Sequence, residues 1–246
     1  MENNNFVKSP IEQAAPISGS ITKTFMSNVF SYMASALAIT GIISYWFGND
    51  LELVGMLFTQ TADGIVKMNM LGYIVMFAPL GFVLLMSFGF QKMSSMTMVL
   101  LFIAYSAIMG VSLSTIFLVY TASSIFTTFF ITAGTFGVMA FLGYTTKTDL
   151  TKFGSILMMG LIGIIIASVV NMFMGSETMD YIISILGVLI FTGLTAYDVQ
   201  KLKRIGSGVE YGTDETNKLA IMGALNLYLD FVNLFLFLLR FLGDRK

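Results

Sequence analysis

Two carboxylates set inside apolar stretches are the residues of this chain best placed to do chemistry. Asp198 falls in Thr195-Ala196-Tyr197-Asp198-Val199-Gln200-Lys201, and Asp230 in Asn226-Leu227-Tyr228-Leu229-Asp230-Phe231-Val232-Asn233. An aspartate at the centre of a membrane helix costs ~2.5–3.5 kcal/mol on insertion scales, so it is rarely left facing lipid. Asn226 stands four residues before Asp230 and Asn233 three after it, which puts the three on one helical face. Thr195 shares the face of Asp198 in the same way. If the two carboxyl groups meet, both cannot ionise cheaply and the pair titrates jointly. A shared proton would then hold the helices together, and its loss would part them or admit a cation. Ca²⁺ takes oxygen ligands from carboxylates, amides, carbonyls and water. Asp198 and Asp230, with Asn226 or Asn233, supply that chemistry. Two plainer readings fit the same residues: a hydrogen-bonded cluster that fixes helix register, and an interfacial Asp198 paired with Lys201 or Lys203. Lys92 comes to the level of Asp198, where it either pairs with it or snorkels to the interface.

The residue inventory excludes much else. Cys and His are absent, which removes thiolate chemistry, disulfides, the commonest general base and the commonest transition-metal ligand. A rhomboid-type Ser–His protease is excluded on that ground. An intramembrane aspartyl protease needs Gly-x-Gly-Asp, whereas Leu227-Tyr228-Leu229 precedes Asp230; the prolines are only Pro10, Pro16 and Pro79, so its Pro-Ala-Leu element is missing too. No Lys lies inside the last apolar span to form a Schiff base, and no GxxxxGK[ST] loop occurs. The chain reads as a non-enzyme with no required cofactor. A formal net charge of −1 without a basic, aromatic-interleaved patch gives no sign of nucleic-acid binding.

The elements that must carry these residues are membrane helices. The 246 residues are 56% hydrophobic and 11% charged, against about 25% charged in a soluble domain. From Met93 to Thr146 there is no charge at all. A bilayer core takes ~20 apolar residues per helix, and its backbone polar groups must be satisfied internally. Seven spans are expected, at about 24–46, 71–90, 96–119, 124–144, 153–174, 179–199 and 219–242, making an all-α integral membrane protein. Residues 1–22 read as a polar tail without a signal peptide's apolar core, and 23–246 as one domain in the lipid bilayer. The short Tyr120–Ser123 link predicts an antiparallel hairpin of spans three and four. Gly134, Gly137, Gly160, Gly163, Gly187 and Gly193 are of the type that lets helices approach. Lys8, Lys23, Lys92, Lys147, Lys152, Lys201, Lys203, Arg204 and Lys218 fall on the N-terminal side, and Lys67, Arg240, Arg245 and Lys246 on the other. That bias predicts a cytoplasmic N-terminus and an outward C-terminus; the basic C-terminus leaves open a re-entrant last segment.

Two stretches carry a family resemblance. Phe191-Thr192-Gly193-Leu194-Thr195-Ala196-Tyr197-Asp198-Val199-Gln200-Lys201 is similar to the sixth-span motif of the Bax-inhibitor family, the transmembrane Bax-inhibitor-motif proteins. Ala224-Leu225-Asn226-Leu227-Tyr228-Leu229-Asp230-Phe231-Val232-Asn233-Leu234-Phe235 resembles that family's final span. The resemblance implies seven helices with the last at the centre, and a pH-sensitive calcium leak in which Asp198 and Asp230 bind and gate the cation. It further implies a bacterial-type member in the inner membrane. Some members carry an acidic residue in span two and Arg at its inner end; here Gln91-Lys92 stands there and the span has no acid. Bacterial members are also linked to membrane protease regulation. An alternative role therefore follows: a regulator that binds a membrane protease or a cell-death protein, its aspartates structural.

Overall fold

The computed structural model describes residues 11–60, 66–210 and 212–246. Its elements run α1 (Ile11–Asn49), α2 (Leu51–Gly55), β1 (Phe58–Gln60), β2 (Val66–Met68), α3 (Met70–Gly89), α4 (Ser95–Leu113), α5 (Ile116–Val119), α6 (Ala122–Thr145), α7 (Thr151–Met174), α8 (Glu177–Gly208) and α9 (Asp214–Leu242). Seven helices are long and apolar enough to cross a membrane: α1 from Gly19, α3, α4 continued through α5, α6, α7, α8 and α9. All seven expected spans are present. Residues 1–10 of the polar tail lie outside the described residues, and the first helix already runs from Ile11.

Short polar side chains start the helices. Asn69, Ser94, Thr121, Ser176 and Thr213 each accept a hydrogen bond from the backbone N–H three residues on, satisfying a donor that the first turn leaves unpaired. α7 ends at Gly175, whose φ of +63° is the left-handed closure that glycine adopts without strain. Asn171 then ties the turn: its Nδ2 donates to the Ser176 carbonyl and to Asp180, and its Oδ1 accepts from the Ser176 N–H.

α9 occupies the middle. It packs on α8, α1, α6 and α4, and 67% of its most apolar stretch is buried against 11% for α7. One apolar core gathers Val29 and Met33 of α1, Phe102 and Tyr105 of α4, Phe136 of α6, Val199 of α8 and the Ala220–Val232 face of α9. α3 lies outside, chiefly on α4, and α7 outside on α8. Where α6 crosses α8, a Cβ at Gly143 would run into the Ala196 backbone, so only glycine allows that approach.

Three sequence expectations change, and one alternative left open falls away. Spans three and four are no hairpin: α4 packs on α1 and α3, α6 packs on α8, and α9 lies against both. The sixth span does not stop at Val199 but continues to Gly208; Leu202 and Gly206 are buried there against Gly223 and Phe25, so one face stays apolar while Lys and Arg take the other. Gly134, Gly137 and Gly163 mediate no close approach, since a Cβ at any of them would meet open space. The last segment is not re-entrant. α9 is one continuous helix, and the chain after it pairs with the turn before α6: Thr121 N–H donates to the Asp244 carbonyl, and Lys246 N–H to that of Val119. The part of α1 around Thr22, by contrast, meets the end of α8 at Gly206. That part of α1 and the chain after α9 therefore sit at opposite ends of the bundle. Between spans one and two the chain also forms α2 and a small antiparallel ribbon, Phe58 opposite Met68.

Candidate functional site

α8 and α9 form the most extensive helix pair of the bundle, and their antiparallel packing brings Asp198 beside Asp230. Asp198 lies ten residues before the end of α8, and Asp230 sixteen after the start of α9. At 1.5 Å per residue that is ~15 Å and ~24 Å from the same end of the bundle; α9 begins five residues earlier than the apolar pattern suggested, and α8 runs well past Asp198. The two carboxyl groups are close enough to interact directly. Asp230 is 6% exposed, and its Oδ2 has no hydrogen-bond donor among the described residues. Ionised carboxylates offer only acceptors, so a hydrogen bond between these two requires a proton. The Lys201 charge also acts on Asp198.

The pair opens into a cleft of about 440 Å³ between α7, α8 and α9. The α8–α9 wall sets Asp198, Asn226, Asp230 and Asn233 among Phe191, Leu194, Leu229 and Phe237. The facing wall, from α7, is apolar apart from Ser168, with Met158, Leu161, Ile164 and Ile165. The cleft exists because α7 leans on α8 rather than on α9. Asn233 donates from Nδ2 to the Leu229 carbonyl at 2.8 Å, which leaves its side-chain oxygen as an acceptor. Asn226 lines the cleft with them. Four side chains thus contribute oxygen atoms to one hollow. No group of three or more acidic side chains comes together among the described residues.

Two supporting candidates are placed elsewhere. Thr195 is fully buried, but its hydroxyl donates to the Phe191 carbonyl in its own helix. Lys92 is exposed and makes no ion pair among the described residues; it follows α3, which packs chiefly on α4.

Sequence reasoning missed the brace beneath the pair. Two residues beyond Asp198, Gln200 donates from Nε2 to the Thr148 carbonyl at 2.8 Å and accepts from Leu150 N–H at 2.9 Å. One turn further, Arg204 pairs with Asp149 and donates to Thr151 at 2.9 Å. Hydrogen bonds from Thr151, and then Arg204, hold the exposed Asp149 carboxyl well below the usual carboxylate range. This brace fixes the α6–α7 loop against α8. The Gln200/Arg204 spacing of four and Asp149 two residues before Thr151 were the available signals. A second feature, on another face of α9, is the buried Tyr228 hydroxyl, 2.7 Å from that of Thr40.

A seven-span bundle of this kind, with paired aspartates on its last two spans, defines an integral multi-pass membrane protein. Residues 22–246 match the family described as inhibitor of apoptosis-promoting Bax1, and the chain belongs to that Bax-inhibitor family. It is 44% identical over 225 residues to inner membrane protein YbhL of Escherichia coli, covering 91% of this chain and 93% of that one. An uncharacterized protein of Borreliella burgdorferi is 47% identical, covering 92% and 94%. Uncharacterized protein RP147 of Rickettsia prowazekii is 44% identical, covering 91% of each.

Proposed function

We propose that the protein is a pH-sensitive, calcium-permeable leak in which Asp198 and Asp230 form the gate. The reading is carried by one observation: a buried carboxyl oxygen of Asp230, without a donor among the described residues, beside a second carboxyl group at the cleft between α7, α8 and α9. With one proton between them, the two acids bond and hold α8 against α9. With none, like charges in a shielded place repel, and a divalent cation is the counter-ion that relieves them. Asn226 and Asn233 extend the oxygen-bearing path along the same cleft. Calcium is cargo here, held briefly by a few protein oxygens and its own water. The basic end, with Lys23, Lys147, Lys152, Lys201, Lys203 and Arg204, would face the cytoplasm, in an inner membrane like that named for the Escherichia coli relative.

The test is reconstitution of the purified chain alone in liposomes holding a calcium indicator. Calcium entry above that of empty liposomes, changing with pH, is the expected result. Silence at every pH would remove the leak. It would favour the second reading, a membrane-embedded regulator of a protease or a cell-death protein, in line with the family's description as an inhibitor of apoptosis-promoting Bax1.

A further inference from the structure

The basic end holds a hollow of about 460 Å³ that the aspartate gate does not use. Lys23 of α1, Lys147 of the α6–α7 loop, and Lys203 and Arg204 of α8 line it, with Asp149 the one carboxylate. Asp149 is engaged by Arg204. Lys203 is half-buried, 4.9 Å over the Tyr144 ring, and donates to the Tyr144 carbonyl at 2.7 Å. Lys23, Lys147 and Lys203 make no ion pair among the described residues. The hollow thus carries three uncompensated cations, with Gln200 and Ser207 as further polar groups. That is the chemistry of a phosphate site.

A second hollow, of about 550 Å³, adjoins it and shares Lys23 and Tyr144 with it. This one is apolar. It runs between α1 and α6 over Met26, Phe30, Phe136 and Phe141, and its floor at Gly137 is open, since a Cβ there would touch nothing. A polar, cationic chamber that shares Lys23 and Tyr144 with an apolar groove between two membrane helices matches one molecule in shape and charge.

We infer that these joined hollows form a binding site for an acidic phospholipid, its phosphate among Lys23, Lys147 and Lys203 and an acyl chain along the α1–α6 groove. A free phosphate would use the first hollow and leave the second without a role. The site stands independently of the calcium reading, because it needs only that the bundle lies in a membrane.

The experiment is a lipid titration of the full chain in neutral detergent, read by native mass spectrometry. One copy of phosphatidylglycerol should bind saturably, and neither phosphatidylcholine nor inorganic phosphate should match it. The combined change Lys23→Gln, Lys147→Gln and Lys203→Gln should weaken binding on the order of 100-fold, from the usual contribution of a lysine at an anionic surface. Gly137→Leu fills the groove without touching a charge and should weaken it about tenfold. The control Lys152→Gln with Lys201→Gln removes two exposed charges that do not line the hollow and should stay within about twofold. If the triple Gln variant fails to fold, Arg at the same three positions should keep the affinity, and Gly137→Leu decides. Equal binding of phosphatidylcholine, equal binding of inorganic phosphate, or wild-type affinity in the triple variant or in Gly137→Leu would each overturn the assignment.

Discussion

Replacing Asp230 by Asn changes the pair in a way that can be followed quantitatively. Asp230 is nearly fully buried, Asp198 partly so, and both border a cleft wide enough for water. For two full charges at ~4 Å and an effective dielectric near 20, repulsion reaches about 4 kcal/mol. Water in the cleft lowers that figure, so deprotonation should shift the equilibrium between closed and parted helices by roughly tenfold to a hundredfold. Asn carries no charge and brings its own N–H donors. It can donate to Asp198 with or without a proton present, and a hydrogen bond to a charged group contributes about 1.5–3 kcal/mol. Asp230→Asn is therefore expected to hold the closed arrangement and to flatten the pH response of calcium entry to within about twofold. The assay is indicator-loaded proteoliposomes stepped between mildly acidic and mildly alkaline buffer, with Asp198→Asn in parallel. Wild-type flux and pH response retained in both variants would refute the reasoning, because neither can carry the charge pair.

Four further expectations concern the brace and the packing of the bundle. Asp149 is held low, so its contribution is present above the unfolded value of ~3.9 and is lost only as pH falls through the lower folded value; Asp149→Asn should thus leave the flux response between about pH 5 and 8 in place, and a displaced response would implicate the brace in gating. Tyr228→Phe removes the hydroxyl contact with Thr40 and should cost about 1 kcal/mol in reversible unfolding. Tyr105→Phe should be neutral or slightly stabilising, since that buried hydroxyl has no partner among the described residues, and the reverse order of the two would contradict the hydrogen-bond assignment. Gly143→Val drives a side chain into the Ala196 backbone and should destabilise the fold by at least the ~1–3 kcal/mol typical of overpacking, read as a lower thermal midpoint.

Much of this arrangement was legible in residue types. The uncharged run from Met93 to Thr146 and the other apolar stretches fix the spans, because a bilayer leaves a helix few alternatives. The Asn226, Asp230, Asn233 stripe marked α9 as interior, since a carboxylate and two amides on one face are costly toward lipid. What stayed hidden depends on three-dimensional order. α4 and α6 belong to consecutive spans yet pack apart, with the last helix against both, and no local pattern foretells a neighbour that arrives so much later. α8 continues beyond Val199 because Leu202 and Gly206 find partners on α9 and α1, while their Lys and Arg neighbours resemble a loop. Gln200 and Arg204 look like interfacial polar residues until the 146–150 loop folds onto them. Lys92 shares a level with Asp198 by counting, but α3 stands at the rim, and depth along the membrane does not fix position around the bundle.

Infrared difference spectroscopy of the reconstituted chain reports most directly on the proton itself, because a protonated carboxyl group absorbs apart from an ionised one. A single such band should fade over the same pH interval in which calcium entry rises, and it should be altered by either Asp198→Asn or Asp230→Asn. A band that is absent, or that titrates without any change in flux, would contradict a gate built on these two acids.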